Sequence, residues 1–162
     1  VNPLIDDGST PRALLALEDG SVFEGLSCGA AGETFGEVVF NTSMVGYQEI
    51  LSDPSYTGQA IVMTYPLIGN YGMTEEDYET KVPTMGGLIV REYNDLPSNF
   101  RYTKTLAEVM EEYRIAGICG IDTRKLARSI LTLGASPKRN RMIIRTRRSF
   151  LRKLRASSLP LR

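Results

Sequence analysis

Three carboxylates, Glu37, Glu49 and Asp53, fall around Tyr47 in one short stretch, and a pair of them could serve as general acid and base. Acidic residues also cap helices, close turns and decorate surfaces, so these three define no reaction by their types alone. Within the same stretch, Asn41-Thr42-Ser43 supplies small polar groups. A serine hydroxyl both donates and accepts, which suits an amide or an α-amino acid, but the same trio equally suits the end of a strand and the cap of a helix over Tyr47 to Leu51. Cys28 and Cys119 are the two thiols. A cysteine nucleophile needs a base or a lowered pKa, yet the chain has no histidine. Cys119 lies within the apolar run Ile115 to Ile121, and nothing near Cys28 supplies a base, so both are expected in the core.

Other chemistries find less support. With His absent and the cysteines far apart, no metal-ligand cluster is expected, and no Gly-rich loop with a following Lys is present to cradle a phosphate. Gly69, Asn70 and Gly72 follow Pro66 in a loop that allows either close approach of a partner or plain turn chemistry. Asp122 can cap a helix whose first turn carries Arg124 and Lys125, opposite to the usual acidic preference there, so these cations face either solvent or an acidic partner.

The elements that would hold these residues alternate in type. Asp19-Gly20 between two apolar runs predicts a β-hairpin. Gly36 to Asn41, Gln59 to Tyr65, Gly86 to Arg91 and Ile115 to Ile121 read as short strands of a buried sheet. Thr105 and Glu108 form a capping box ahead of the stripe Leu106, Val109, Met110 and Tyr113. A second helix runs from Asp122 through Leu126, Ile130 and Leu133 to Gly134. One domain of mixed α/β class is expected.

Charge divides the chain sharply. Residues 1–122 hold all 19 acids and 6 bases, net −13, whereas residues 123–162 hold 13 bases and no acid. Such a basic end can fold back on the acidic body, seek an acidic partner or bind nucleic acid through phosphates. Phe150 is its one aromatic, which argues against base stacking. No apolar run is long enough to cross a bilayer and the first residues lack a basic leader, so a soluble, cytoplasmic protein is expected.

The stretch Glu37-Val-Val-Phe-Asn-Thr-Ser-Met-Val-Gly-Tyr-Gln-Glu-Ile-Leu-Ser-Asp-Pro-Ser-Tyr56 resembles a signature of the small subunit of glutamine-hydrolysing carbamoyl-phosphate synthases. Thr64 to Gly72, Gly87 to Arg91, Ser98 to Arg101 and Gly120 to Leu126 are similar to that family in the same order, so the resemblance spans about residues 12–135. It implies an N-terminal domain of that subunit over residues 12–136, of mixed α/β class layered β/β/α, an extension over 1–11 and a basic tail over 137–162, with no glutaminase domain. It further implies docking on a large subunit that makes carbamoyl phosphate from bicarbonate, ATP and glutamine-derived ammonia for pyrimidine and arginine biosynthesis. ATP and a divalent metal would belong to that large subunit, and no cofactor to this chain. Ser43 would help bind glutamine, and only where a glutaminase domain is supplied. Without a Cys-His pair, the chain alone is expected to be inactive.

The resemblance fades after Ser136. Either Pro137 to Asn140 is a short insertion and Met142 to Ile144 still forms a strand, or the reading frame has shifted; the acid-free, Arg-rich run favours a frameshift or truncation. The rival to the synthase reading is a nucleic-acid or acidic-partner module acting through residues 137–162.

Overall fold

A computed structural model describes residues 10–43, 47–64, 67–68, 82–93, 104–132 and 141–146 of the chain. The loop of Gly69, Asn70 and Gly72, the Ser98 to Arg101 segment, Gly134 and the basic run after Thr146 lie outside the described residues.

Asp19 and Gly20 turn the chain between β1 (Arg12–Leu17) and β2 (Val22–Ser27). Gly20 sits at φ +89°, where a side chain would be strained, and the Asp19 carboxylate accepts from the Ser21 amide at 2.8 Å. The chain continues through β3 (Gly32–Asn41), α1 (Tyr47–Ser52), a 3-10 turn (Pro54–Tyr56) and β4 (Ala60–Met63). Next come β5 (Leu67–Ile68), β6 (Gly87–Ile89), β7 (Glu92–Tyr93), α2 (Leu106–Glu112), β8 (Ala116–Cys119), α3 (Thr123–Thr132) and β9 (Arg141–Thr146). The expected capping box opens α2: the Glu108 amide donates to Thr105 Oγ1 at 3.2 Å, and the Thr105 amide to Glu108 Oε2 at 2.7 Å. The parallel pair β5–β7 has no counterpart in the sequence reading, since two residues per strand carry no periodicity.

Seven strands form one sheet in the order β1-β2-β8-β6-β4-β3-β9, and β9 returns to β1 to close it into a barrel. The neighbours β3, β4, β6 and β8 run parallel, while β2, β1 and β9 pair antiparallel. This division explains the burial patterns. The parallel strands β4, β6 and β8 are buried along their whole lengths, because helices cover one face and the barrel interior the other.

Side chains alternate between two cores. Ala60 and Val62, Ile89, and Ala116 and Ile118 point into the barrel with Leu15, Val38 and Ile144, where Leu126 and Ile130 of α3 join them. Ile61 and Met63, Leu88 and Cys119 point outward, beneath Ile50 and Leu51 of α1 and Leu106, Val109 and Met110 of α2. The protein is therefore of mixed α/β class with a mainly β core. Among the described residues, no helix is long and apolar enough to cross a membrane.

The apolar triplet inside the basic stretch is part of β9. Ile144 is fully buried, and its Cδ1 lies 3.0 Å from the point where a Cβ on Gly87 would stand. A residue from the basic end thus fills the space left by a glycine on the opposite wall. Ile144→Ala is expected to destabilise the protein by about 2–5 kcal/mol, while Leu131→Ala, at a 70% exposed position, stays within about 0.5 kcal/mol. Urea unfolding followed by circular dichroism measures both; equal, near-silent effects would mean that β9 does not close the core.

Candidate functional site

Because β3, β4, β6 and β8 are parallel, their carboxyl ends share one edge of the barrel, the edge where α/β proteins commonly bind ligands. At the end of β3, the Asn41 carbonyl accepts from the Thr64 amide at 3.1 Å and from the Thr64 hydroxyl at 3.3 Å. The Asn41 side-chain amide donates to the Tyr56 hydroxyl at 3.4 Å, and its carbonyl oxygen accepts from the Ser43 amide at 2.8 Å. Asn41 therefore ends the strand and folds the chain into a short side-chain-closed turn. Ser43 stands exposed on that turn. Residues 44–46, between the turn and α1, lie outside the described residues.

The three carboxylates near Tyr47 do not assemble. Glu37 accepts from Gln59 Nε2 at 3.2 Å on the exposed side of β3, and Glu49 is exposed on α1. Asp53 caps the 3-10 turn by accepting from the Ser55 amide at 2.8 Å, and that bond holds its carboxyl below the usual range. Among the described residues, no hydrogen bond or ion pair links the three to one another, and Tyr47 itself is buried in the outer core.

Cys28 and Cys119 are both buried in that outer core. The Cys28 thiol, in hydrogen-bond contact with Cys119, holds the latter below the usual thiol value, while burial opposes the shift. The two strands approach closely because Gly117 is small: a Cβ there would stand 2.9 Å from Cys28 Sγ and 2.5 Å from Met110 Cε. With no histidine in the chain and no exposure, this pair packs the β2–β8 seam.

A different feature emerges at the same barrel edge. The β1–β2 turn, the residue after Val90 at the end of β6, and α3 enclose an open cleft of about 660 Å³ that includes Asp19, Arg91, Asp122, Arg124, Lys125 and Arg128. Asp122 caps α3 through the Lys125 amide at 3.0 Å. That bond chiefly lowers its pKa, with smaller contributions from the Arg124 amide and the charges of Arg91 and Lys125. The Arg91 carbonyl accepts from the Gly120 amide at 2.9 Å, with Gly120 at φ +81°, which pins Arg91 opposite the start of α3. Ser129 and Thr132 turn their hydroxyls back onto helix carbonyls at 3.0 and 2.8 Å. The cleft therefore presents four cations against two carboxylates and can attract an acidic surface. Arg124 and Lys125 stood out in the sequence, but Asp19, Arg91 and Arg128 did not, since Asp19 read only as a turn residue and strand pairing alone brings Arg91 to α3.

Comparison with known proteins gives a consistent result. Residues 15–139 match the family model described as carbamoyl-phosphate synthase small chain, CPSase domain. The chain is 55% identical over 123 residues to the carbamoyl phosphate synthase small chain of Staphylococcus saprophyticus, covering 76% of this chain and 34% of that one. It is 55% identical over 116 residues to the protein of the same name from Oceanobacillus iheyensis (72% and 32% covered), and 56% identical over 120 residues to that from Fusobacterium nucleatum (74% and 34%). The chain thus spans about a third of the length of the curated relatives it matches. An aminopeptidase structure from Aneurinibacillus sp. strain AM-1 overlaps at a TM-score of 0.41 and 13% identity, over 86% of this chain and 30% of that one, too loosely to inform fold or function.

The electrostatics of Asp122 carry a pH dependence. Its folded pKa lies below the ordinary 3.8, so its stabilisation of α3 is complete above the unfolded-state value and is lost as pH falls through the lower folded one. Asp122→Ala is expected to speed amide exchange in the first turn of α3 at pH 6 and to converge with the parent in strong acid. A difference that persists unchanged in strong acid would place the effect elsewhere.

Proposed function

The chain belongs to the carbamoyl-phosphate synthase small-chain family, and from that membership we propose that it supplies the N-terminal, large-subunit-docking part of the small subunit. The observation that carries this reading is identity of about 55% sustained over 123 residues, alongside a family match whose residues 15–139 take in every strand from β2 to β8 and helices α1 to α3. In this reading, the large subunit makes carbamoyl phosphate from bicarbonate, ATP and ammonia taken from glutamine, in the cytoplasm, for pyrimidine and arginine biosynthesis. ATP and its divalent metal belong to that subunit.

The residues of this chain contribute docking rather than bond-breaking. Hydrolysis of an amide by a cysteine needs a thiolate and a proton acceptor within reach, and residues 1–162 contain no histidine while both thiols are buried. Ser43, exposed at the carboxyl edge of β3, is suited to touch glutamine once a glutaminase domain lies against that edge. The cationic cleft over α3 is the surface we assign to the large subunit, because its four cations exceed its two carboxylates.

Two measurements test this. Purified protein supplied with glutamine is expected to release no ammonia above the buffer rate, and an immobilised synthase large chain to retain it. Arg124→Glu with Lys125→Glu should weaken retention about tenfold, roughly 1.4 kcal/mol, with a reduced dependence on salt. Sustained ammonia release would remove the docking-only role; retention indifferent to the double charge reversal would move the docking surface away from α3.

A further inference from the structure

The two thiols are far apart in the sequence, and the fold brings them together. Leu26 of β2 lies opposite Cys119 of β8, and the Cys28 amide donates to the Gly117 carbonyl at 3.1 Å, so Cys28 stands across from Gly117. Moving two residues along a strand returns the side chain to the same face. Cys28 and Cys119 are therefore diagonal neighbours on the outer face of the barrel, both within the core beneath α1 and α2. Gly117 adds no side chain between them: a Cβ there would stand 2.9 Å from Cys28 Sγ and 2.5 Å from Met110 Cε, so the thiol and the thioether arm of Met110 share that space. The two thiols are in hydrogen-bond contact, which holds Cys119 below the usual thiol value against the opposing effect of burial.

The register decides what such a pair can do. Diagonal neighbours across an antiparallel ladder have Cα atoms about 7–8 Å apart, whereas a disulfide holds them at about 4.4–6.8 Å and spans more only if backbone moves. The seam resists that movement, since a Cβ on Gly25 would already lie 2.3 Å from the Cys119 carbonyl oxygen and one on Gly29 2.6 Å from that of Ile115. Two sulfurs that face each other at this spacing suit an ion placed between them. Thiolate and thioether sulfur favour soft cations such as Cu(I). A structural zinc needs four ligands, which two thiols in a chain without histidine do not supply. Charge also balances: a monovalent cation enters as one thiol proton leaves to solvent, no electron is transferred, and the buried site stays neutral. Cys28 keeps 8% exposure beside half-buried Gly29, which gives the ion an approach.

We propose that Cys28 and Cys119 form a buried two-sulfur site for a soft monovalent cation, of which cuprous ion is the biological example, with Met110 closing the site from the α2 side. An ion held there ties the end of β2 to β8 and reinforces the antiparallel seam where the helix-covered half of the barrel begins. The site is independent of the cleft over α3 and of the large-subunit reading.

The full, reduced chain provides the test, with silver(I) as a redox-inert monovalent probe and no histidine to compete for it. Calorimetric titration is expected to saturate at one ion per chain with release of one proton. The thermal midpoint should rise, because only the folded chain holds the two sulfurs together. Cys28→Ser and Cys119→Ser should each weaken binding by at least about a hundredfold, the upper end of what loss of a merely supporting group costs. Cys119→Ala, which removes the sulfur without burying a hydroxyl, should lose as much while keeping the parent's far-ultraviolet circular dichroism. Zinc(II) in place of silver should leave the midpoint unmoved. Uptake of two ions per chain, with one retained in each single variant, would overturn the proposal, since the thiols would then act separately. So would silver binding that lowers the midpoint, or a Cys28–Cys119 disulfide that diamide closes within the native barrel.

Discussion

Closure of the barrel by Ile144 is the contact on which the other features rest. A sheet with free edges would leave β1 and β3 with unpaired backbone groups and an interior open to water. β9 pairs with both and places Ile144 in the space that Gly87 leaves vacant on the far wall. Once closed, the sheet has an inside that side chains fill and an outside divided between a helix-covered parallel half and an antiparallel half. The family match ends at residue 139, just before this strand, so a strand beyond the matched residues carries a side chain central to the fold.

The parallel half then determines where polar groups gather. Strands that run in one direction end at one edge, and the groups past their ends, Ser43, Thr64, Arg91 and Asp122, collect there although they are far apart in sequence. Backbone hydrogen bonds hold that edge: Thr64 to Asn41, Gly120 to Arg91, and Lys125 to Asp122. Along the β2–β8 seam, close packing rests on small residues. A Cβ on Gly29 would lie 2.6 Å from the Ile115 carbonyl oxygen, and one on Gly25 only 2.3 Å from that of Cys119, so the β2–β8 seam accepts no larger residue without moving backbone. This seam buries the two cysteines and separates them from solvent.

Much of this was legible in the chain. The hairpin at Asp19-Gly20, the capping box at Thr105 and Glu108 and the Asp122 cap rest on local rules: allowed φ and the reach of a side chain to a nearby amide. The carboxylates near Tyr47 illustrate the limit of such rules. Glu37, Glu49 and Asp53 are neighbours in sequence, yet strand, helix and turn geometry direct them to separate partners. The opposite holds for Asp19, Arg91 and Arg128, which no spacing connects and which strand order brings to one cleft.

The sequence by itself determined the family, the mixed α/β class, the lack of a Cys-His pair and the division of charge, because each depends on residue identity or on contacts within a few positions. Only the tertiary structure decided that the strand in the basic stretch closes the barrel, that the cationic face of α3 meets Arg91, and that Val22, Ala16, Ile143 and Phe35 align across four strands. Those outcomes depend on which strands pair and in what register. Register is set by the burial of whole faces against distant partners, a quantity that no local stretch of the chain contains.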